Sequence, residues 1–383
     1  MSLLLPLLLA AAQTAAGRPA QEPGAADAPA PARTPAPARL VVLDKEAATA
    51  EIVDVASGEV RARIPVGDGP HEVAIRPDGR YAVVADYGTR QPGRTLTVLD
   101  LVAEKAVGRI DLGAQVRPHG LAWESDGRHL WVTAEATGEV LRVDTQAGDG
   151  PAVVKRLDVG KGTAGHMIAR KDDGYFLVSH IASGMITPVQ AVTVFNVETG
   201  PDVSRPDWRA FEPVPSGKGA EGIAVRRGGR EVWVTNRAEG TVAVFHYERG
   251  ELVSEPVARL ECPGFPIRVV FTPDGSKALV SCAEAGEVEV FDADNKVSLG
   301  RIAMPLPADA GPEASTDPIG ITVSADGTKA YVSLSAADHV AELDLGAMQV
   351  LRTIPVGRVP DGIAWYRAPL RAAAPPPDTP QRR

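Results

Sequence analysis

Apolar positions along this chain fall in short bursts that alternate with polar ones, and the bursts recur in one order seven times. Each round opens on a similar phrase: Pro70-His71-Glu72-Val73-Ala74, Pro118-His119-Gly120-Leu121-Ala122, Gly165-His166-Met167-Ile168-Ala169, Ala220-Glu221-Gly222-Ile223-Ala224, Pro266-Ile267-Arg268-Val269-Val270, Pro318-Ile319-Gly320-Ile321-Thr322 and Pro360-Asp361-Gly362-Ile363-Ala364. A turn signal and a second apolar run follow, as in Asp78-Gly79 before Tyr81 to Ala85, Asp126-Gly127 before Leu130 to Thr133, and Asp274-Gly275 before Ala278 to Ser281. Asp-Gly tolerates the positive φ of a tight turn, so each opening predicts a β-hairpin. A third run with period-two alternation comes next (Thr95 to Asp100, Glu139 to Asp144, Glu287 to Asp292), then a fourth such as Arg61 to Val66. The unit is a four-stranded antiparallel meander of roughly 42 to 55 residues, the period of propeller blades.

The two ends of the pattern complete each other. Residues 360–366 carry only a first strand, and residues 39–67 carry only the later ones. Joined, they make one blade and close the ring, which removes the exposed edges of an open sheet. The predicted fold is all-β: a seven-bladed β-propeller of four-stranded blades, with N- and C-terminal strands sharing one blade. Small side chains at Ala74, Ala122, Ala169, Ala224 and Ala364 suit the taper of the innermost strands, and they read as core together with Val73, Leu121, Ile223 and Val269.

The ends of the chain read differently. Leu3 to Ala12 has the length of a signal-peptide apolar region and is too short to span a bilayer, so residues 1–16 read as a leader and the mature chain as having no integral membrane segment. Pro-Ala repeats make residues 17–38 an extended linker, residues 39–367 are the propeller, and residues 368–383 are a disordered tail. The expected location is periplasmic or secreted. A net charge of -9 with no basic run argues against nucleic acid as a partner. The two cysteines, Cys262 and Cys282, fall near the same end of the barrel by repeat register, where they either pair as a disulfide or stand as two reduced core thiols.

The chemistry sits where the repeat varies. The loop entering each innermost strand lies beside the central channel, so the second residue of the opening forms a ring around its mouth: His71, His119, His166, Glu221, Ile267, Ile319 and Asp361, with Arg268 adjacent. Residues ending each second strand return to the same face and suggest another ring: Asp44, Asp86, Ala134, His180, Asn236, Cys282 and Leu334. Imidazoles and a carboxylate from separate blades suit a divalent transition metal (Zn, Fe or Cu) held by His71, His119, His166 and Glu221, with His180 as a further ligand or supporting partner. Arg268, Asp361, Asp86 and Asn236 then remain for a small molecule, with Arg268 suited to an anionic one. Without a metal, His71, His119, His166 and Arg268 are the candidate catalytic residues, the imidazoles acting as general acid and base. There is no Cys-x-x-Cys-His motif for covalent haem, no Gly-x-Ser-x-Gly elbow and no phosphate loop. Residues 182–191, with Met185, and residues 303–317 read as longer loops projecting at the mouth.

Trp233-Val234-Thr235-Asn236, Pro273 to Ser281 and Ile64-Pro65-Val66-Gly67 resemble the YVTN-type β-propeller repeat proteins, over about residues 39–366. The chain is similar to the lactonase-like group and to the cytochrome d1 haem domain, which share that architecture. The lactonase-like resemblance implies hydrolysis by an arginine and acid-base residues at the channel mouth; haem binding does not carry over, because the histidines are grouped on three neighbouring blades. Three readings follow: a ligand-binding propeller working through a metal, a lactonase-like hydrolase or metal-dependent lyase or oxidase using the same residues, and a scaffold presenting a propeller face to a protein partner.

Overall fold

The computed structural model describes residues 36–114, 116–160, 165–172, 174–196, 200–248, 251–306 and 314–368. The leader, most of the linker and the tail inferred from sequence lie outside the described residues, as does the middle of the 303–317 segment.

The described residues form seven antiparallel blades and no helix. Blade 1 is the composite one: Ala38–Asp44, Thr49–Asp54 and Val60–Pro65 are completed by the last strand, Pro360–Arg367, which pairs with Ala38–Asp44. Blade 2 comprises Pro70–Ile75, Tyr81–Asp86, Thr95–Asp100 and Lys105–Asp111; blade 3 comprises Pro118–Trp123, His129–Ala134, Glu139–Asp144 and Ala152–Asp158. Blade 4 runs through Gly165–Asp172, Tyr175–His180, Met185–Asn196 and Gly200–Ala210, and blade 5 through Ala220–Val225, Glu231–Asn236, Thr241–Glu248 and Ala258–Glu261. In these two blades a short extra piece, Val214–Pro215 or Glu251–Leu252, also pairs with the third strand. Blade 6 is Pro266–Phe271, Lys277–Cys282, Glu287–Asp292 and Val297–Ala303, and blade 7 is Pro318–Val323, Lys329–Leu334, His339–Asp344 and Gln349–Pro355.

The expected loop at 182–191 is instead a tight turn followed by the third strand of blade 4. Met185 sits opposite His180 in the ladder, and alternation through Ile186, Thr187 and Val189 fills that strand.

The core lies between neighbouring blades. Leu96 and Ile110 of blade 2 pack with Leu130 and Val132 of blade 3, and Trp131 of blade 3 meets Phe176 and Trp208 of blade 4, the two indoles 4.7 Å apart. Each blade thus buries a face that it could not bury alone, which makes the closed ring the cooperative unit. The Val73, Ala74, Leu121, Ile223 and Val269 columns all pack into these clusters.

Hydroxyls stitch the innermost strands together. Thr133 accepts from the Gly120 amide and donates to the His166 carbonyl, and Thr235 does the same between Gly222 and Ile267. Ser179 and Ser281 likewise donate to the carbonyls of Glu221 and Ile319 in the next blade. The bond ends on the backbone of a channel-mouth residue each time, so the scaffold fixes where those side chains start.

Candidate functional site

Two local features aim the ring of side chains. The residue before the opening takes a left-handed conformation, as in Gly69 (φ 55°), Arg117 (φ 51°), Gly219 (φ 75°), Phe265 (φ 66°), Asp317 (φ 43°) and Val359 (φ 55°). The ladder then slips, with Pro70 opposite Asp86 but Val73 opposite Val84, so that the two residues between bulge off the sheet. The same slip recurs at the opening of every other blade. A bulge re-aims side chains, and here it points the second and third residues of each opening at the channel.

The structure brings His71, His119, His166, Glu221, Asp361 and Arg268 together. His71 Nδ1 lies 2.6 Å from Asp361 Oδ2, which also takes Lys45 Nζ at 3.2 Å. The His71 and His119 rings are 5.2 Å apart and the His119 and His166 rings 3.7 Å apart. His166 stands between two carboxylates, with Nδ1 at 3.4 Å from Glu135 Oε2 and Nε2 at 3.4 Å from Glu221 Oε1. Arg237 Nη1 donates to Glu221 Oε2 at 2.8 Å, and Arg268 Nη1 donates to Glu221 Oε1 at 3.2 Å. The other arm of Arg268 reaches Glu72. Beyond that bridge, further along the inner strands, a cavity of about 240 Å³ is lined by Met167, Ile223, Val270, Ile321 and Ile363.

Charge is sorted within the cluster. Burial would raise the Asp361 pKa, but His71, Lys45 and Arg268 outweigh it and hold the carboxyl well below the usual range. Burial also pulls His166 down, yet its contacts to Glu135 and Glu221 prevail and raise it. Glu221 is kept low against its burial by His166, Arg268 and Arg237. Burial, with His166 and His71 beside it, drives His119 well below an ordinary histidine, and its Nδ1 is buried without a protein partner. Burial raises Glu72 against the pull of Arg268. Burial and Glu135 push the Tyr87 phenol up to about 12 while its hydroxyl donates to Glu135 at 3.0 Å.

Asp86, His180 and Asn236 are placed elsewhere. Asp86 accepts from Thr95, Thr97 and the Gly67 amide, His180 Nε2 meets Thr187 Oγ1 at 2.7 Å, and Asn236 bonds Ser216 and Thr241. These contacts clamp the second strand to the third strand and to the incoming loop of the same blade. The residues that reach the mouth come one position later: Lys45, Tyr87, Glu135 and Arg237. Side chains alternate faces along a strand, so a one-residue slip in register turns the whole ring inside out. Glu72 was also missed in the sequence. Its signal is that it breaks a glycine column: at Gly222, Gly320 and Gly362 an added Cβ would come within 2.3, 2.0 and 2.3 Å of the next blade's backbone.

Among the described residues, three donor atoms of His, Cys, Asp or Glu lie within 4.8 Å of one another at Cys262, Cys282 and Glu289 and at Glu124, Asp126 and His129. Neither set includes His71, His119, His166 or Glu221. At the mouth, His71 and His166 turn ring nitrogens to carboxylates and His119 stacks on His166.

Comparison with known proteins agrees with this frame. No curated protein matches the chain by sequence. Among solved structures, the periplasmic gluconolactonase of Pseudomonas aeruginosa is similar at TM-score 0.66 and 19% identity, over 87% of this chain and 99% of that one. A Bacteroides fragilis protein provisionally named a 6-phosphogluconolactonase is similar at TM-score 0.67 and 14% identity, over 88% and 100%. Virginiamycin B lyase of Staphylococcus aureus is similar at TM-score 0.57 and 14% identity, over 77% and 88%. At these identities the likeness is one of fold. The model of the lactonase seven-bladed β-propeller family matches residues 40–303, well over half of the 383-residue chain, and the chain therefore belongs to that family.

Proposed function

We propose that this protein hydrolyses a cyclic ester at the channel mouth, with His71 as general base. The observation that carries the reading is the His71–Asp361 contact of 2.6 Å. A carboxylate held anionic beside Nδ1 fixes the proton there and leaves the Nε2 lone pair to act. Nε2 takes a proton from water, the oxygen attacks the lactone carbonyl, and the tetrahedral oxyanion collapses with cleavage of the ring C–O bond. The His71 imidazolium returns its proton to the departing alkoxide, giving a hydroxy acid.

Rim charge favours an anionic ligand. The Lys45 and Arg237 side chains are 30% and 31% exposed, whereas their partners Asp361 and Glu221 are 4% and 6% exposed. These two positive heads therefore face incoming solute above their own acidic partners, with the partly exposed Glu135 beside His166. Arg237 and Lys45 suit the oxyanion and the carboxylate product. The orphaned His119 Nδ1 offers a further contact for a ligand oxygen. A polyhydroxy-acid lactone fits this polar mouth.

The second reading is the metal one, with Zn, Fe or Cu held by His71, His119, His166 and Glu221. It is favoured by the same buried Nδ1 of His119. Such an ion would polarise the carbonyl or activate water. Export is part of the proposal: the apolar run at Leu3 to Ala12 supports it, and the similar gluconolactonase is named as periplasmic.

The test is acid release in a pH-stat from a panel of five- and six-membered sugar-acid and alkyl lactones, using protein of measured metal content. Turnover by metal-free protein supports the histidine-base reading. Turnover that requires a stoichiometric metal supports the second, and no turnover of any lactone overturns hydrolysis.

A further inference from the structure

The only two cysteines of the chain meet. Cys262 follows the last strand of blade 5, its amide bonded to the Gly240 carbonyl, and Cys282 ends the second strand of blade 6 opposite Pro266. Their Sγ atoms are 3.3 Å apart, and the residues are 0% and 1% exposed, enclosed by Trp233, Val242, Val269 and Phe291. The two sulfurs come from different blades and are within reach of one another across the seam. A bond would need a further approach of about 1.3 Å.

Glu289 is the third group at this place, and the trio has the composition of a small metal site. Arg301 Nη2 already donates to Glu289 Oε2 at 3.0 Å, so a guanidinium engages the carboxylate that a cation would need. The Cys282 contact, burial and Glu289 all push the Cys262 thiol far up. Both thiols are sealed from solvent in the folded ring, so exchange must occur before the seam between the blades closes.

We infer that Cys262 and Cys282 form a disulfide that staples blade 5 to blade 6. The inference rests on the export reading, because the bond requires an oxidising compartment. The two thiols give up two protons and two electrons to an incoming disulfide of an oxidase, which becomes a dithiol as the S–S bond forms. The staple anchors the second strand of blade 6 to blade 5. That strand pairs with the one carrying Arg268, so the bond braces the site from behind.

The experiment uses the full chain expressed with its own N-terminus, with cell fractionation reporting export separately. Protein recovered from the exported fraction is denatured and alkylated before or after reduction. The expected result is no alkylation before reduction, two adducts after it, and a peptide linking residues 262 and 282. Reductant should lower the Tm of the wild type by about 5 °C and leave a Cys262→Ala/Cys282→Ala variant unmoved. Two adducts without reduction in exported protein would overturn the inference, as would stoichiometric zinc lost in Glu289→Gln. Failure of lactone turnover would leave these readouts unchanged.

Discussion

Arg268 and Glu72 form an ion pair across the central channel. They belong to blades 6 and 2, which are separated by two blades on one side and three on the other, so the bridge joins nearly opposite walls of the ring. Arg268 also holds Glu221, whereas Glu72 is paired to Arg268.

That asymmetry sets an order of costs. Removing Arg268 leaves buried Glu72 without its cation and takes one of two guanidinium contacts from Glu221, which keeps Arg237, whereas removing the Glu72 charge leaves the arginine paired with Glu221. Arg268→Met should cost about 3–5 kcal/mol and Glu72→Gln about 1–3 kcal/mol in urea unfolding at pH 7. Equal costs would show that the bridge does not carry the load assigned to it.

Asp44 makes the ring-closing blade pH-sensitive. Its side chain is fully buried in composite blade 1, with Oδ1 unpartnered; burial, with Glu51 adding, lifts the carboxyl from 3.8 to about 7 against Thr49, Arg63 and the Gly357 amide. A raised native pKa means that the folded form keeps a proton that the unfolded chain has released. The contribution is complete below pH 3.8 and is lost as pH rises through about 7. Asp44→Asn removes the titration, and blade 5 already carries Asn236 in this register. Urea midpoints of the variant should vary less between pH 4 and pH 8 and should exceed the wild type at pH 8. Parallel curves would refute the assignment.

Val359 carries strain at the mouth. A β-branched residue at φ 55° is costly, and the equivalent positions in blades 2 and 5 are Gly69 and Gly219. Val359→Gly should therefore stabilise the fold by about 1 kcal/mol, against the usual direction for a strand-flanking glycine. Thermal unfolding at fixed pH reads this directly, and a lowered Tm would contradict it.

How much of this was legible in the sequence depends on periodicity. The openings fixed the ring of His71, His119, His166, Glu221 and Asp361, because a repeat puts equivalent residues in equivalent places. The second ring failed by one residue: Asp86 ends its strand, but the pleat turns its carboxylate into the blade and the next residue, Tyr87, toward the channel. A pattern with period two carries no mark of which face is which. Arg268 was legible as a charge beside the ring and Glu72 only as a departure from a glycine column, and their meeting across the channel depends on ring closure, which no local stretch encodes.

The central claim is that His71, oriented by Asp361, removes the proton from the attacking water. The most direct measurement is the steady-state rate of lactone opening by His71→Gln and Asp361→Asn beside the wild type, with folding checked by circular dichroism. The account predicts a loss of kcat of about 10²–10⁴ for His71→Gln, a smaller loss for Asp361→Asn and little change in KM. Retained kcat in a folded His71→Gln protein would contradict it.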